Sequence, residues 1–201
     1  MNSARVDGRT LRHQHRQPEL LAAATEYTLE HGISDVSLRT IAQGIGVTHA
    51  TLLRHFSSKE ELLRQVVDRI HTDFLAQLDG SAETRCATSI SEYATAVWRY
   101  LCEPREQRQF VLLFEVVARA ARDPDGSGRL APSIIDDWLS STADHLIRYG
   151  CPPSQAPELA TLLLAQVRGL QLDLVTTGDR ARADRAFEHT VALLATFGKP
   201  A

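Results

Sequence analysis

Residues Ser37 to Leu63 read SLRTIAQGIGVTHATLLRHFSSKEELL. Ser37 offers a hydroxyl to cap a helix that carries Leu38, Ile41, Ala42 and Ile45, an apolar stripe at three- and four-residue spacing, and Gly46 ends it. Thr48 caps a second, short helix whose Leu52 and Phe56 share one face while His49, Thr51 and Arg54 point elsewhere. Ser57 or Ser58 opens a third, with Glu60 and Glu61 in the first turn, where the helix dipole favours negative charge. It runs on through Leu62, Leu63, Val66, Val67, Ile70, Phe74 and Leu78. Ala42 is small where the first two helices cross, Gly46 sits at their turn, and Ile41, Val47, Leu52 and Phe56 supply a small core between them. That is the residue pattern of a helix-turn-helix, in which the core fixes a steep angle and leaves the second helix free to enter a major groove.

Upstream, Pro18 at a helix start leads into Leu20, Leu21, Ala24, Tyr27 and Thr28, one apolar stripe that stops at His31 and Gly32. Residues 1 to 17 have no hydrophobic period and read as a flexible basic arm; residues 18 to 64 read as a three-helix head and residues 65 to 201 as a helical body. In the body, helices are expected over roughly Thr84 to Leu101, Arg105 to Ala121, Pro132 to Tyr149, Pro157 to Thr176 and Arg182 to Phe197. Their stops are Pro104, the DPDGSG stretch from Asp123, Gly150 to Pro153, and the turn at Gly178 and Asp179. No segment has a strand period. The expected fold is all-α, with about nine helices.

With 201 residues, 43% of them hydrophobic, the chain can bury a substantial core. The net charge of −3 conceals a division: seven basic and five acidic residues through Lys59, a net of +2, against fifteen basic and twenty acidic beyond it, a net of −5. A basic head on an acidic body suits a nucleic-acid partner. Cys86, Cys102 and Cys151 are odd in number and lack a CxxC pair, so they read as reduced, partly buried thiols and not as a disulfide or zinc framework. Met1 to Gln17 has no apolar core for a secretion signal, and no uninterrupted apolar run is long enough to cross a bilayer. A cytoplasmic protein without a membrane partner is expected.

The stretch from Ser37 to Leu63 closely resembles the signature of the TetR family of transcriptional regulators, in which a GV(S/T)xxTLYxHFxxKExLL segment follows the first helix of the pair. The resemblance covers about Leu20 to Leu63. It includes the polar succession THAT, RHF and SSKE, which a generic three-helix unit would not require. It implies that His49, Ala50 and Thr51 face base edges, that Arg54 and His55 lie near the groove wall, and that Arg39 reaches bases or backbone. It further implies that Lys59 meets a phosphate beside the start of the following helix, where free N–H groups favour an anion. Ser37 and Thr48 combine capping with phosphate contact, or cap alone. Leu53 stands where the family usually has a tyrosine whose hydroxyl reaches a phosphate, so the backbone grip should lack that contact.

For the body the resemblance implies a homodimer on an inverted-repeat operator of double-stranded DNA, a small-molecule effector and no cofactor. Leu163, Val167, Leu170 and Leu174 form one apolar stripe and Phe187, Val191 and Leu194 another, as a dimeric four-helix bundle needs. The alternative is that both stripes pack only within the subunit. Phe74, Trp98, Phe110, Phe114 and Trp138, with His71, Arg119, His145 and Gln166 as polar groups, are expected to line an effector pocket. Plain aromatic core is the competing assignment, and with it a DNA-binding dimer that has no effector. A helical enzyme is the other class. GxSxG, GxxxxGK[ST] and HExxH are absent, and DPDGSG has Ile134 where a calcium loop needs a bidentate glutamate, so no catalytic or metal residue is expected.

Overall fold

The computed structural model describes residues 8–34, 36–122 and 130–197. Among them the regular structure is entirely helical: α1 (Gly8–His31), α2 (Leu38–Gly44), α3 (His49–Phe56), α4 (Lys59–Gly80), α5 (Ala82–Cys86), α6 (Ile90–Leu101), α7 (Pro104–Arg122), α8 (Leu130–Arg148), α9 (Ala156–Thr177) and α10 (Arg180–Phe197). The chain forms two compact units that meet between His71 and Thr72, so α4 gives its first half to one and its second half to the other.

In the first unit, Leu20, Ala24, Leu29, Ile33, Ile41, Ala42, Leu52, Phe56, Leu62, Val66 and Val67 are all buried. Two hydroxyls enter this core at little cost because each bonds back along its own helix, Thr25 Oγ1 to the Leu21 carbonyl at 2.8 Å and Thr28 Oγ1 to the Ala24 carbonyl at 2.7 Å. α1 begins ten residues before Pro18, which corrects the expectation of an unstructured arm through Gln17. The stretch from Thr10 to Gln17 contains no glycine or proline and includes Leu11, two arginines and two glutamines, all good helix formers, so it extends a helix already nucleated downstream. Gln17 also donates through Nε2 to Gln65 Oε1 on α4, at 3.3 Å. Residues 1–7, with Arg5, lie outside the described residues.

In the second unit α9 lies between α8 and α10, α10 packs on α6, and α7 touches α6, α8 and α9. One core gathers Phe74, Leu78, Ala94, Trp98, Leu101, Cys102, Val167, Leu174, Ala183 and Phe187; a smaller one joins Leu146, Cys151, Ala156, Leu159 and Ala160. The single helix expected from Thr84 to Leu101 is two, because Ser89 caps α6 by accepting from Glu92 N at 3.2 Å while the Glu92 carboxylate takes Thr88 N and Oγ1 at 2.8 and 2.9 Å. Gly178, at φ 70°, closes α9 in the left-handed region that suits glycine, and its N–H donates to the Leu174 carbonyl. By length and composition α9 could cross a membrane, yet its Leu164, Val167 and Leu174 are buried within the body. Cys102 and Cys151 are buried and Cys86 is exposed, so the expectation of buried thiols holds for two of the three.

Candidate nucleic-acid interface

The head holds α3 with three kinds of contact. Ser37 and Thr40 cap α2 reciprocally: Thr40 N donates to Ser37 Oγ at 3.1 Å and Ser37 N donates to Thr40 Oγ1 at 2.7 Å, threonine serving where glutamate or glutamine is usual. Thr48 Oγ1 accepts from Thr51 N at 3.1 Å and lies 2.8 Å from Thr51 Oγ1. Both predicted caps are therefore present. The turn between α2 and α3 passes through Gly46 at φ 73°. At Gly44 a Cβ would stand 2.0 Å from Cε2 of Tyr27, whose ring stacks on His31 with centroids 4.0 Å apart. Glycine thus lets α1 and α2 approach closely, a contact that nothing in the helical period foretells.

α3 buries Leu52 and Phe56 completely. Its opposite face presents His49, Ala50, Leu53 and Arg54 to solvent, with Leu53 42% exposed. Thr51 and His55 sit on the flank, half-buried, Thr51 beside the Thr48 hydroxyl and His55 with its ring 6.3 Å from that of Phe56. Of the three residues expected at base edges, His49 and Ala50 share the outward face and Thr51 does not. Arg39 is exposed on α2. Lys59 donates through Nζ to the Ile33 carbonyl at 3.0 Å, which ties the start of α4 to the loop after α1. Ser58, not Ser57, caps α4, its Oγ accepting from Glu61 N at 3.0 Å. Hydrogen bonds from Arg64 and Gln65 hold the Glu61 carboxyl down at about 2.

The nine residues expected to line an effector pocket do not converge. Phe74 and Trp98 are core residues, with Trp138 packed against them. Trp98 stacks on Phe187 and donates Nε1–H to Asp184 Oδ1 at 2.7 Å. His145 belongs elsewhere, stacked 4.7 Å from Tyr93 with Nδ1 2.7 Å from the Ser141 carbonyl. Phe110 is half-buried while Phe114, Arg119 and Gln166 are exposed; His71 is half-buried on α4. None of the nine lines the shallow groove of about 400 Å³ between α5 and α6, which is walled by Glu83, Cys86, Ser91, Glu92, Thr95 and Arg99. The sequence reading missed the buried polar residues Glu106 and Gln109 of α7. A glutamate in a first helical turn reads as a partner of the dipole, and periodicity gives no sign that it faces inward.

Part of each expected dimer stripe packs inward, as in the alternative in which both pack within the subunit. Val167, Leu174 and Phe187 lie in the subunit's own core, and Leu163, Leu170 and Val191 pack against it; the Leu194 side chain lies outside the described residues. Among the described residues, the large apolar side chains that α9 and α10 leave outward are Leu162, 58% exposed, Leu172 and Leu193.

Residues 20–66 match the family described as bacterial regulatory proteins, tetR family. An HTH-type transcriptional regulator of Mycobacterium tuberculosis is 26% identical over 97 residues, 48% of this chain and 42% of that protein, so the match spans less than half the length of that relative. Among solved structures, a TetR-family transcriptional regulator from Cytophaga hutchinsonii has a TM-score of 0.76 at 16% identity, covering 94% of this chain and 98% of its own. The multidrug binding protein EbrR, solved in complex with imidazole, has a TM-score of 0.67 at 18% identity, covering 93% and 92%. At these identities the structures establish a shared fold, and the family match is confined to the head with its helix-turn-helix. Residues 20–66 carry the head of the tetR family of bacterial regulatory proteins, and the chain as a whole shares the fold of a solved TetR-family regulator.

Proposed function

We propose that this protein is a homodimeric repressor that grips an inverted-repeat DNA operator through α3 and leaves it when a small molecule binds the body. The observation that carries the reading is the two-sidedness of α3: Leu52 and Phe56 have no exposure, and His49, Ala50, Leu53 and Arg54 stand together in solvent on the other face. A short helix fixed so firmly on one side and open on the other suits insertion into a major groove. Arg39, Arg54 and the N-terminal arginines supply cations for phosphates. A leucine in place of the family's tyrosine makes Arg54 and Lys59 the main backbone contacts near this face.

One recognition helix reads too few base pairs to select a site in a genome, so two heads must act together. The pairing surface we favour is the outer side of α9, where Leu162, Ala165, Gly169 and Leu172 are exposed at three- and four-residue spacing, joined by Leu193 of α10. Gly169 has open space where a Cβ would be, which would allow close approach of a second helix. Effector release draws support from the shared fold of EbrR, a protein solved with imidazole. In this mechanism ligand and DNA affinities are reciprocally linked.

Genomic footprinting of the full-length protein, followed by titration of a recovered duplex and of a scrambled one, tests the reading. Strong preference for a two-fold symmetric site supports it, and equal affinity for both duplexes would overturn it.

A further inference from the structure

Among the described residues of the first unit, Leu53 is the one large apolar side chain left in solvent; the other exposed ones all belong to the second unit. Packing does not account for it. Leu52 and Phe56 of the same helix have no exposure, so the buried side of α3 is filled without residue 53. Helix propensity does not account for it either, because lysine, arginine and glutamine favour a helix about as well. Any of those three would also offer a phosphate a charge or a hydrogen bond, and leucine offers neither.

The place of Leu53 on α3 decides what it can meet. Side chains of a helix lean toward its N-terminus, so a leucine at 53 leans over the turn that carries His49 and Ala50, both exposed on the same face. That end of a recognition helix is the one that reaches base edges. Ala50 has nothing beyond Cβ, so it lets the backbone of α3 come close to the bases and leaves room for the leucine three residues on. Ala50 and Leu53 thus make an apolar step between the polar His49 and Arg54. In a major groove the base edges present donors, acceptors and one apolar group, the C5 methyl of thymine. A leucine set against the donors or acceptors would strip their water and return no hydrogen bond. Set against the methyl, it takes apolar surface out of water on both partners. Deoxyribose, the other apolar surface of a duplex, lies along the backbone and not at the base edges that this end of the helix meets.

We infer that Leu53 is a specificity-determining residue of α3, which selects thymine by contact with its C5 methyl group, and that Ala50 opens the approach. This rests on the proposed operator binding and names a feature of the operator itself: a thymine in each half-site beneath Leu53.

The test uses the full-length protein and a footprinted duplex in which deoxyuridine replaces each thymine in turn, a change that removes the methyl group and keeps every hydrogen-bonding group of the base. At one symmetry-related pair of positions the wild type should lose about fourfold in affinity per half-site, and about fifteenfold with both half-sites changed, the worth of a methyl group taken out of water. Leu53→Ala, its folding checked by circular dichroism, should bind the thymine and uracil duplexes alike. Leu53→Met keeps an apolar side chain of similar volume and should retain most of the preference. Uracil accepted at every position by the wild type would overturn the inference. So would a thymine preference undiminished in Leu53→Ala, because the methyl would then act through another residue or through the duplex itself. Both outcomes leave operator binding standing, since the footprinted duplex is still preferred over a scrambled one. A footprinted duplex bound no better than its scrambled form defeats operator binding and this inference with it.

Discussion

Lys59 Nζ donates to the Ile33 carbonyl at 3.0 Å, across twenty-six residues, and so joins the first turn of α4 to the loop that follows α1. An ammonium has three donors, which leaves this lysine capable of holding the loop and meeting a phosphate at once. Lys59→Met should lower head stability by about 1–2 kcal/mol, the usual worth of a hydrogen bond to a charged group that is partly solvated. It should also weaken binding to all duplexes alike and reduce the salt slope by about one. Urea unfolding with unchanged stability would remove the structural half of this role; an unchanged salt slope would remove the other.

On α3 the roles separate by face. His49→Ala removes a side chain with no part in the packed core, so its effect should fall on base choice at one operator position, about 1–3 kcal/mol of discrimination, with the melting temperature unchanged. Thr51→Ala should instead disturb the Thr48 cap and cost about 0.5–1 kcal/mol of stability. Binding selections on randomised duplexes, run beside thermal melts, distinguish the two. Matching shifts in base preference from both variants would contradict the orientation of α3.

How far the sequence could be read follows from where its signals are local. Ser37, Thr48, Gly46 and Gly178 mark helix ends because a hydroxyl cap or a positive φ is a property of one residue and its neighbours. The break before α6 carried such a mark in Ser89 and Glu92, an S-x-x-E pattern that the long apolar period obscured. Pro18 misled because a proline suits a first turn yet also sits inside α1. The dimer stripe was ambiguous for another reason. Leu162, Leu163 and Leu164 are consecutive, so α9 is apolar on more than one side, and periodicity cannot tell which side faces the subunit's own core. Glu106 was illegible because its burial arises from contacts beyond its own helix, among them the Tyr100 hydroxyl of α6, which the period of α7 does not reveal.

That ambiguity on α9 becomes a prediction. Leu162→Glu combined with Leu172→Glu places two charges on the outer side, at two of the more exposed leucines of the chain, where little intramolecular packing is lost. The protein should become monomeric in sedimentation while keeping its helical circular dichroism. Val167→Glu, in the core with Trp98 and Phe187, should unfold the body instead, because a buried unpaired carboxylate costs several kcal/mol. A double variant that remains a dimer would exclude this side of α9 as the interface.

Ser57 has φ 46° and ψ −41°, a conformation that side chains with a Cβ rarely adopt, in the two-residue link between α3 and α4. Its side chain does not cap α4, since Ser58 does that. Ser57→Gly should relieve strain of about 1–3 kcal/mol and return part of it as the larger entropy of an unfolded glycine. The expected balance is a gain of about 1 kcal/mol, seen as a rise of a few degrees in the melting temperature of the head. A fall would mean that the serine contributes more than its backbone costs.

In the body, Asp184 receives both the Trp98 indole N–H and the Arg180 Nε–H at 2.7 Å on the same oxygen. Burial opposes its charge, but these two hydrogen bonds and the Arg180 charge prevail and hold the carboxyl below its ordinary value of 3.8. A carboxyl depressed in the folded state stabilises above its unfolded pKa and loses that contribution as pH falls through the folded one. The pair should therefore be fully effective at neutral pH and fail only in acid below about 4. Asp184→Ala should cost about 1–2 kcal/mol at pH 7, chiefly because the buried indole loses its acceptor; the Arg180 contact is exposed enough for water to screen most of its worth. Asp184→Asn retains an acceptor for the indole and should recover most of the loss. Unfolding followed at pH 7 and in acid decides the matter: the gap between the wild type and Asp184→Ala should narrow as the carboxyl protonates but not close, because a protonated carboxyl still offers the indole an acceptor, and a gap that does not narrow would show that the carboxylate's charge adds nothing at Trp98.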